Sequence, residues 1–567
     1  MIPLVETLRT YRRADLRSDL AAGITTAVML VPQAMAYAML AGLPAIVGLY
    51  ASAVPLALYA LLGSSRHLAV GPVAMVSLLV ASGVGALAPA GSPEYIGYAI
   101  VLAGLVGVLQ LAMGVLRAGF LVNFLSHPVV SGFTSAAALI IGFSQLTHLL
   151  GVELPRSHHI HSVAAAAFAA FDQIDLATVL IGVGSTAMLL ALKRWRPRIP
   201  RALVAVVVGS VAVWGLGLEI ATVGDVPGGF PVPAFPSLEL AAVVDLLPIA
   251  ITIALVAFME SISVAKAFAR RDRYDIDANR ELVGLGAANL GSALFGGYPV
   301  TGGFSRTAVN AQAGAKTSLA SLITAVVVAA TLVFLTPLFF YLPKAVLAAI
   351  IMTAVFGLID LAEVRHLWRI KRSDLALLLL TFFATLSLGI EIGIATGIGA
   401  SLLWFVVRST RPHIAVIGVT PAGRFRNTAR DPEARELDGV LIVRMDASFY
   451  YGNVSFLKDT LRRLAADRRG LRAVVLDASA INNLDSSADA TLRDLAAQYR
   501  ADGVELILAR VKGPVMDVLE RSGECDARFA ESVAEAVATL SQRTGESIGD
   551  KREDLASPPP SGAKFRD

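Results

Sequence analysis

The stretch Gly296-Gly-Tyr-Pro-Val-Thr-Gly-Gly-Phe-Ser-Arg-Thr-Ala-Val-Asn310 sets Ser305 and Arg306 directly behind two glycines, inside an otherwise apolar part of the chain. An arginine supplies a full positive charge on a planar fork, and a serine supplies a hydroxyl. A helix that starts there adds free N–H groups and a partial positive charge. Together these groups could hold an anion. Gln33 and Tyr37 lie four apart, so they share one helix face and offer an amide and a phenolic donor to a desolvated oxyanion. Val70-Gly71-Pro72 opens another helix, where Gly71 and the N–H groups of Val73 and Ala74 present a second N-terminus. Pro72 lacks an N–H and suits a first turn. Glu260 sits within a further apolar run. A carboxyl in a low-dielectric site can load a proton and release it near neutral pH, which would offset the charge of an incoming anion.

Plainer readings exist for each. Arg306 could only neutralise Glu260, and Glu260 could be held in a permanent pair with Arg306 or Lys266. Gln33 and Tyr37 could be glue between helices. Gly71 could mark a simple turn. An ionisable group at membrane depth favours the functional reading.

The elements that must position these groups are membrane spans. The chain has 567 residues, 55% of them hydrophobic and 16% charged, with a mean hydropathy of +0.66. No Asp, Glu, Lys or Arg occurs at 21–65, 67–93 or 118–152, whereas both signs are dense beyond Arg411. A spanning helix needs about 20 apolar residues. Fourteen spans are expected, near 21–40, 44–62, 71–88, 97–116, 124–149, 174–192, 201–218, 243–268, 281–296, 303–314, 317–336, 344–359, 373–389 and 391–408. Those at 71–88 and 303–314 look too short to cross alone. The first apolar run follows Arg9, Arg12, Arg13 and Arg17 without a clear cleavage site and reads as a retained span.

Loop charges support this count. Alternate loops carry Arg66, Arg117, the cluster from Lys193 to Arg201, the cluster from Arg270 to Arg273, Lys316, and the group Arg365, Arg369, Lys371 and Arg372. The intervening loops carry only Arg156 and Lys344. The positive-inside rule puts the first set, and with it both termini, in the cytoplasm.

Two halves are legible, about 21–218 and 243–408. In the first, Pro32-Gln33 is expected to interrupt one span, and Val70-Gly71-Pro72 opens another two spans on. In the second, Glu260 and Gly302-Gly303 occupy matching places. Seven spans per half is odd, so the halves have opposite orientations. Inverted repeats with broken helices place a site at the repeat interface.

Beyond 411 a small α/β domain is expected to about 545, after a short cytoplasmic segment at 1–20 and the transport domain at 21–411. Its strands are expected at Val440–Met445, 473–476 and 504–508, and its helices at Val454–Ala466, 487–499 and Gly513–Arg521. The tail at 546–567 reads as disordered.

Several motifs in order carry a family resemblance. Val31-Pro-Gln-Ala-Met-Ala-Tyr-Ala38, Gly63-Ser-Ser-Arg-His-Leu-Ala-Val-Gly-Pro72, Phe258-Met-Glu-Ser-Ile-Ser-Val-Ala-Lys-Ala267 and the Gly-Gly-Phe-Ser-Arg stretch resemble the sulfate permease (SulP) anion transporters. The C-terminal region, with Ile481-Asn-Asn-Leu-Asp-Ser-Ser487, looks like the STAS domain of that family. The resemblance reaches about residue 543. It implies a core-and-gate domain of 7+7 inverted repeats moving by an elevator-like shift, commonly in homodimers. It also implies transport of sulfate, chloride, bicarbonate or dicarboxylates by proton or sodium symport or by exchange, with the serine–arginine pair at the substrate site. Sodium-coupled members generally arrange their carboxylates differently, and Val264 occupies the position one turn beyond Glu260. Ser487 matches a serine phosphorylated in soluble STAS proteins, but a helix-capping role behind Asp485 is the preferred reading.

The remaining candidates point elsewhere. Glu391, Asp360 and Glu363 suit packing and loop solvation. His158, His159 and His161 fall in an external loop and are not expected to hold a metal. The single cysteine, Cys525, excludes an intrachain disulfide. A net charge of +4 does not suggest nucleic acid, and no Gly-x-x-x-x-Gly-Lys-Ser/Thr run supports ATP-driven pumping. No cofactor is expected. The reading is a secondary anion transporter, with proton–sulfate symport as the first choice. Bicarbonate, dicarboxylate or chloride transport is the nearest rival. A nucleobase permease, an anion channel or a STAS-linked sensor with a protein partner stands further off.

Overall fold

The first half of the chain forms α1 (Arg13–Leu40), α2 (Ala45–Leu62), β1 (Val70–Gly71), α3 (Ala74–Gly85), α4 (Pro93–Val115), α5 (His127–Ser144), α6 (Leu146–Leu150), α7 (Ile160–Ala169), α8 (Leu176–Trp195) and α9 (Arg201–Leu216). The second half forms α10 (Leu240–Asp272), α11 (Ala278–Leu294), β2 (Thr301–Gly302), α12 (Phe304–Gln312), α13 (Leu319–Phe334), α14 (Lys344–Val355), α15 (Leu361–Ile370), α16 (Arg372–Leu388) and α17 (Ile390–Thr410). These come from a computed structural model that describes residues 11–120, 126–152, 160–196, 199–233, 240–523 and 526–544. His158, His159, Cys525 and the tail from 545 lie outside the described residues.

Each expected span coincides with a helix. Among the described residues, eight helical stretches are long and apolar enough to cross a membrane by length and composition, and shorter apolar helices complete the core. The helices α7 and α15 were not foreseen. Small residues let the spans pack closely, as membrane helices require. A β-carbon on Gly286 would sit 2.6 Å from the Leu111 backbone N, and one on Gly107 would sit 2.7 Å from that of Leu290. These contacts seat α4 against α11.

The two halves repeat one plan. In each, two long helices lead to a two-residue strand and a short helix. The strands β1 and β2 pair antiparallel, Val70 with Gly302 and Gly71 with Thr301. Antiparallel pairing of equivalent strands is what an inverted repeat produces. The expectation that Pro32-Gln33 breaks a span is corrected, because α1 runs unbroken through Pro32. A proline in a helix forfeits one backbone bond, and packing against neighbouring helices makes that tolerable in a membrane. The breaks fall instead at the third element of each half, before α3 and α12.

The chain divides into two compact units that meet at Ser401 and Leu402, inside α17, against an expected boundary near 411. The side chains of Leu403, Trp404, Phe405 and Val406, just beyond that boundary, are exposed.

The second unit holds a six-stranded sheet in the order β4-β3-β5-β6-β7-β8. Its strands are β3 (Ile414–Val419), β4 (Phe425–Asn427), β5 (Val440–Met445), β6 (Ala473–Asp477), β7 (Glu505–Ala509) and β8 (Arg528–Ala530). The run from β5 to β8 is parallel and β3 is antiparallel to both neighbours. The helices α18 (Val454–Ala466), α19 (Ser486–Ala501), α20 (Gly513–Arg521) and α21 (Val533–Thr544) complete it. Two apolar clusters cover the sheet. Leu457, Leu492 and Leu519 belong to one, and Val533, Val537 and Leu540 to the other.

Candidate functional site

The first helical bonds of the two short helices run from Ser77 N to Val73 O and from Thr307 N to Gly303 O, both 3.0 Å. The N–H groups of Ala74 to Val76 and of Phe304 to Arg306 therefore precede any helical acceptor. Val73 and Gly303 are the N-cap residues, both extended and neither using a side chain to cap. Two uncapped helix starts thus flank a two-strand ladder, and their dipoles favour negative charge.

Polar side chains from neighbouring helices hold this arrangement. Asn289 of α11 accepts from Val300 N at 2.8 Å and donates to Val300 O at 3.1 Å and to Gln110 Oε1 at 2.9 Å. Ser261 of α10 accepts from Gly302 N at 2.8 Å and lies 2.7 Å from Thr301 Oγ1, which donates to Ala257 O. Thr307 accepts from Ala69 N at 3.1 Å and donates to Gly303 O at 2.7 Å. Gly303 N donates to Ala69 O at 3.2 Å. Every buried backbone group so engaged would otherwise lose its water partner at full desolvation cost.

Arg306 turns into this frame and is 1% exposed. Its Nη1 donates to the carbonyl oxygen of Pro72, at the opposite helix start. Its Nε and Nη2 are buried and have no hydrogen-bond partner among the described residues. The guanidinium lies over two glycines: a β-carbon on Gly303 would stand 2.9 Å from Nη2, and one on Gly71 would stand 3.5 Å away. Glu260, Tyr37 and Tyr298 are within electrostatic range of Arg306.

Glu260 Oε2 is likewise buried without a partner among the described residues. Among the described residues no ion pair joins Glu260 to Arg306 or Lys266, so the permanent-pair alternative is not what the structure contains. Tyr37 and Gln33 are buried on α1, and among the described residues Gln33 Oε1 lacks a partner. Gln33 also lines a cavity of about 700 Å³, together with Thr25, Lys193, Arg201, Val309 and Gln312. Among the described residues no carboxylate lines that cavity.

The serine–arginine pair is split. Arg306 points inward, whereas the Ser305 side chain is exposed, as is Phe304. Ser305 offers its N–H in the first turn. Tyr298, buried with its hydroxyl 2.9 Å from Ser77 Oγ, was not anticipated, although it lies within the glycine-rich stretch itself. Nor was Glu281, whose buried carboxylate accepts from Tyr59 Oη, Ser64 Oγ and Ser64 N at 2.7 Å each and from Ser65 N at 3.0 Å. It pins the loop ahead of β1 to α11. An acid near the edge of an apolar span was the only signal for it.

Other candidates resolve simply. Asp360 caps α15 by accepting from Glu363 N at 2.9 Å. Ser487 is not the helix cap: Asp485 accepts from Ala488 N at 2.9 Å, while Ser487 is exposed in the first turn of α19. Aspartate, whose carboxylate reaches the third N–H, takes the role one residue earlier. The described residues contain no metal-binding cluster.

Comparison with known proteins agrees with this architecture. The sulfate permease family matches residues 16–381 and the STAS domain matches 431–536. The chain is 42% identical over 545 residues to the chloroplastic sulfate transporter 4.1 of Arabidopsis thaliana, covering 92% of this chain and 79% of that one. It is 35% identical over 532 residues to a probable sulfate transporter of Mycobacterium tuberculosis, covering 92% and 94%. Among solved structures it resembles the murine Solute Carrier 26 family member A9 anion transporter in the inward-facing state, with TM-score 0.88, 25% identity and coverage of 95% and 94%. It also shares its fold with the transmembrane domain of the cyanobacterial bicarbonate transporter BicA, with TM-score 0.61, 23% identity and coverage of 69% and 98%. This chain is a multi-pass membrane protein with a C-terminal STAS domain, and it belongs to the sulfate permease family.

Proposed function

We propose that this chain is a secondary active transporter, not an enzyme, and that it carries sulfate between the two uncapped helix starts. One observation carries the reading: Arg306 is buried with Nε and Nη2 unpartnered among the described residues. A buried cation that lacks partners for its donors is strongly disfavoured unless an anion completes it. Gly71, Val73, Ala74 and Ser305 add backbone N–H groups or close approach, and Gln33 and Tyr37 stand on the facing helix. The names of the curated relatives favour sulfate over other anions.

Glu260 is the proposed proton-coupling group. Its Oε2 is buried without a donor among the described residues, so a proton is the partner it can acquire. Protonation before anion binding would reduce the net charge that must cross the bilayer. The cavity beside Gln33, with Lys193 and Arg201 in its lining, supports an open route from the side that charge alternation makes cytoplasmic. On the same alternation, both termini and the STAS domain are cytoplasmic. Residence in the cytoplasmic membrane is part of the proposal and does not follow from the alternation. The elevator-like movement, a homodimer and a STAS partner rest on the family resemblance.

Counterflow in proteoliposomes with labelled sulfate, bicarbonate, chloride and fumarate tests the reading. Sulfate should accumulate against its gradient, faster with an inward proton gradient. Preferential accumulation of bicarbonate or fumarate would replace the cargo, and dissipation without accumulation would make the protein a channel.

A further inference from the structure

We propose that α15 is an interfacial helix that binds anionic phospholipid headgroups. The helix is separated from α14 by a short 3-10 turn and begins with its own Asp360 cap. Its inner face, Val364 and Leu367, packs on Leu375 and Leu378 of α16. Those two residues lie three and six positions into α16, or about 5–9 Å along its axis. Glu363 reaches His127 at the start of α5, 3.4 Å away. The helix therefore spans the ends of two membrane-embedded helices, at bilayer-edge depth.

Its outer face has the chemistry of that depth. Leu361 and Trp368, seven residues apart, share one line along the helix and are 60% and 65% exposed. Arg365 and Arg369, four apart, form the next line; both are exposed, and among the described residues neither has an ion pair. Ile370, 67% exposed, and Arg372 follow. Tryptophan favours the headgroup level, and arginines beside it favour lipid phosphates. Charge complementarity selects anionic headgroups as the occupant. The sequence shows this segment only as a basic loop; the structure adds the exposed apolar line beside the basic one.

The test uses the full chain in vesicles, with Trp195→Phe, Trp214→Phe and Trp404→Phe leaving Trp368 as the sole tryptophan. Brominated phosphatidylglycerol and brominated phosphatidylcholine are compared as quenchers at equal mole fraction. Phosphatidylglycerol should quench Trp368 more strongly, and raised salt should remove the excess. Arg365→Gln and Arg369→Gln should each raise the phosphatidylglycerol fraction needed for half-maximal quenching about fivefold, the strength of one basic residue at an anionic surface. Arg365→Lys and Arg369→Lys should keep the preference, which separates lost charge from misfolding. Equal quenching by both lipids overturns the proposal. So does an absence of quenching by either, which places Trp368 in water or under another protein.

Discussion

Arg306 Nη1, carried by the second repeat, donates to the carbonyl oxygen of Pro72, carried by the first. The bond crosses the seam between the two halves and leaves Nε and Nη2 of the same guanidinium without acceptors among the described residues. Position and charge are thereby supplied together: one nitrogen anchors the fork and two remain for a ligand.

Arg306→Ala should abolish sulfate uptake and sulfate-dependent thermal stabilisation. Arg306→Lys keeps the charge but loses the planar fork. It should keep some binding of a monoanion such as chloride while weakening sulfate by roughly tenfold or more, the worth of a charge-assisted hydrogen bond. Thermal-shift titrations with both anions check this. Wild-type sulfate affinity in Arg306→Ala would make the arginine a structural cation.

Gly303→Ala tests the same group without touching it. The backbone at Gly303 is extended, with φ −93°, so alanine fits the chain. Its β-carbon, 2.9 Å from Nη2, must displace the guanidinium. Because that neighbour is the end of a flexible side chain, the fold should survive within about 1 kcal/mol while sulfate transport falls at least tenfold. Equal transport with an unchanged melting temperature would disconnect the Arg306 pose from function.

Glu260→Gln cannot cycle a proton. Sulfate exchange should persist, while acceleration by an inward proton gradient disappears. Uptake measured with and without that gradient decides the matter, and a full proton response in the mutant moves coupling elsewhere.

Asn289→Ala strips the bonds that hold Val300 just ahead of β2. The buried Val300 N–H left unpaired costs about 1–3 kcal/mol, with a further loss from the cavity. Thermal unfolding of the purified protein should show the destabilisation, accompanied by weaker sulfate binding because β2 loses its anchor.

Asp446 allows a pH test outside the membrane. Partial burial alone would raise its pKa, but hydrogen bonds from Arg444 and His413 hold it below the ordinary carboxylate range. A depressed value stabilises the folded state above the unfolded value, about 3.9, and the benefit fades as pH falls through the folded value. Asp446→Asn should therefore loosen the STAS domain at neutral pH, read as faster amide exchange in β5. The difference from wild type should begin to shrink as pH falls below about 3.9 and vanish only below the depressed folded value. A difference that persists in acid would assign the role to packing.

Much was legible in the chain itself. Charge-free runs located the spans, because an apolar stretch of sufficient length has no other stable place than a bilayer. Loop arginines alternated, and Gly71-Pro72 and Gly302-Gly303 marked the starts of α3 and α12. Short apolar runs placed β5, β6 and β7 within a residue or two. The edge strands β4 and β8 escaped, as did β3 beside β4, since a partly exposed strand lacks the continuous apolar signature of a buried one.

The tertiary structure decided which way the site groups point. The sequence places Ser305 and Arg306 side by side, but consecutive residues on a helix face about 100° apart, so only one can enter the core. Packing chose Arg306, and folding across the seam chose Pro72 as its acceptor. Pro32 reads as a break in the sequence, yet neighbouring helices carry α1 straight through it. Glu281, Asn289 and Tyr298 gained their roles from partners more than ten residues away or on other helices, and no local pattern encodes such a partner. Spans and repeats follow from local composition, which the solvent reads directly. The site follows from which surfaces meet, and that is settled only when the two halves close on each other.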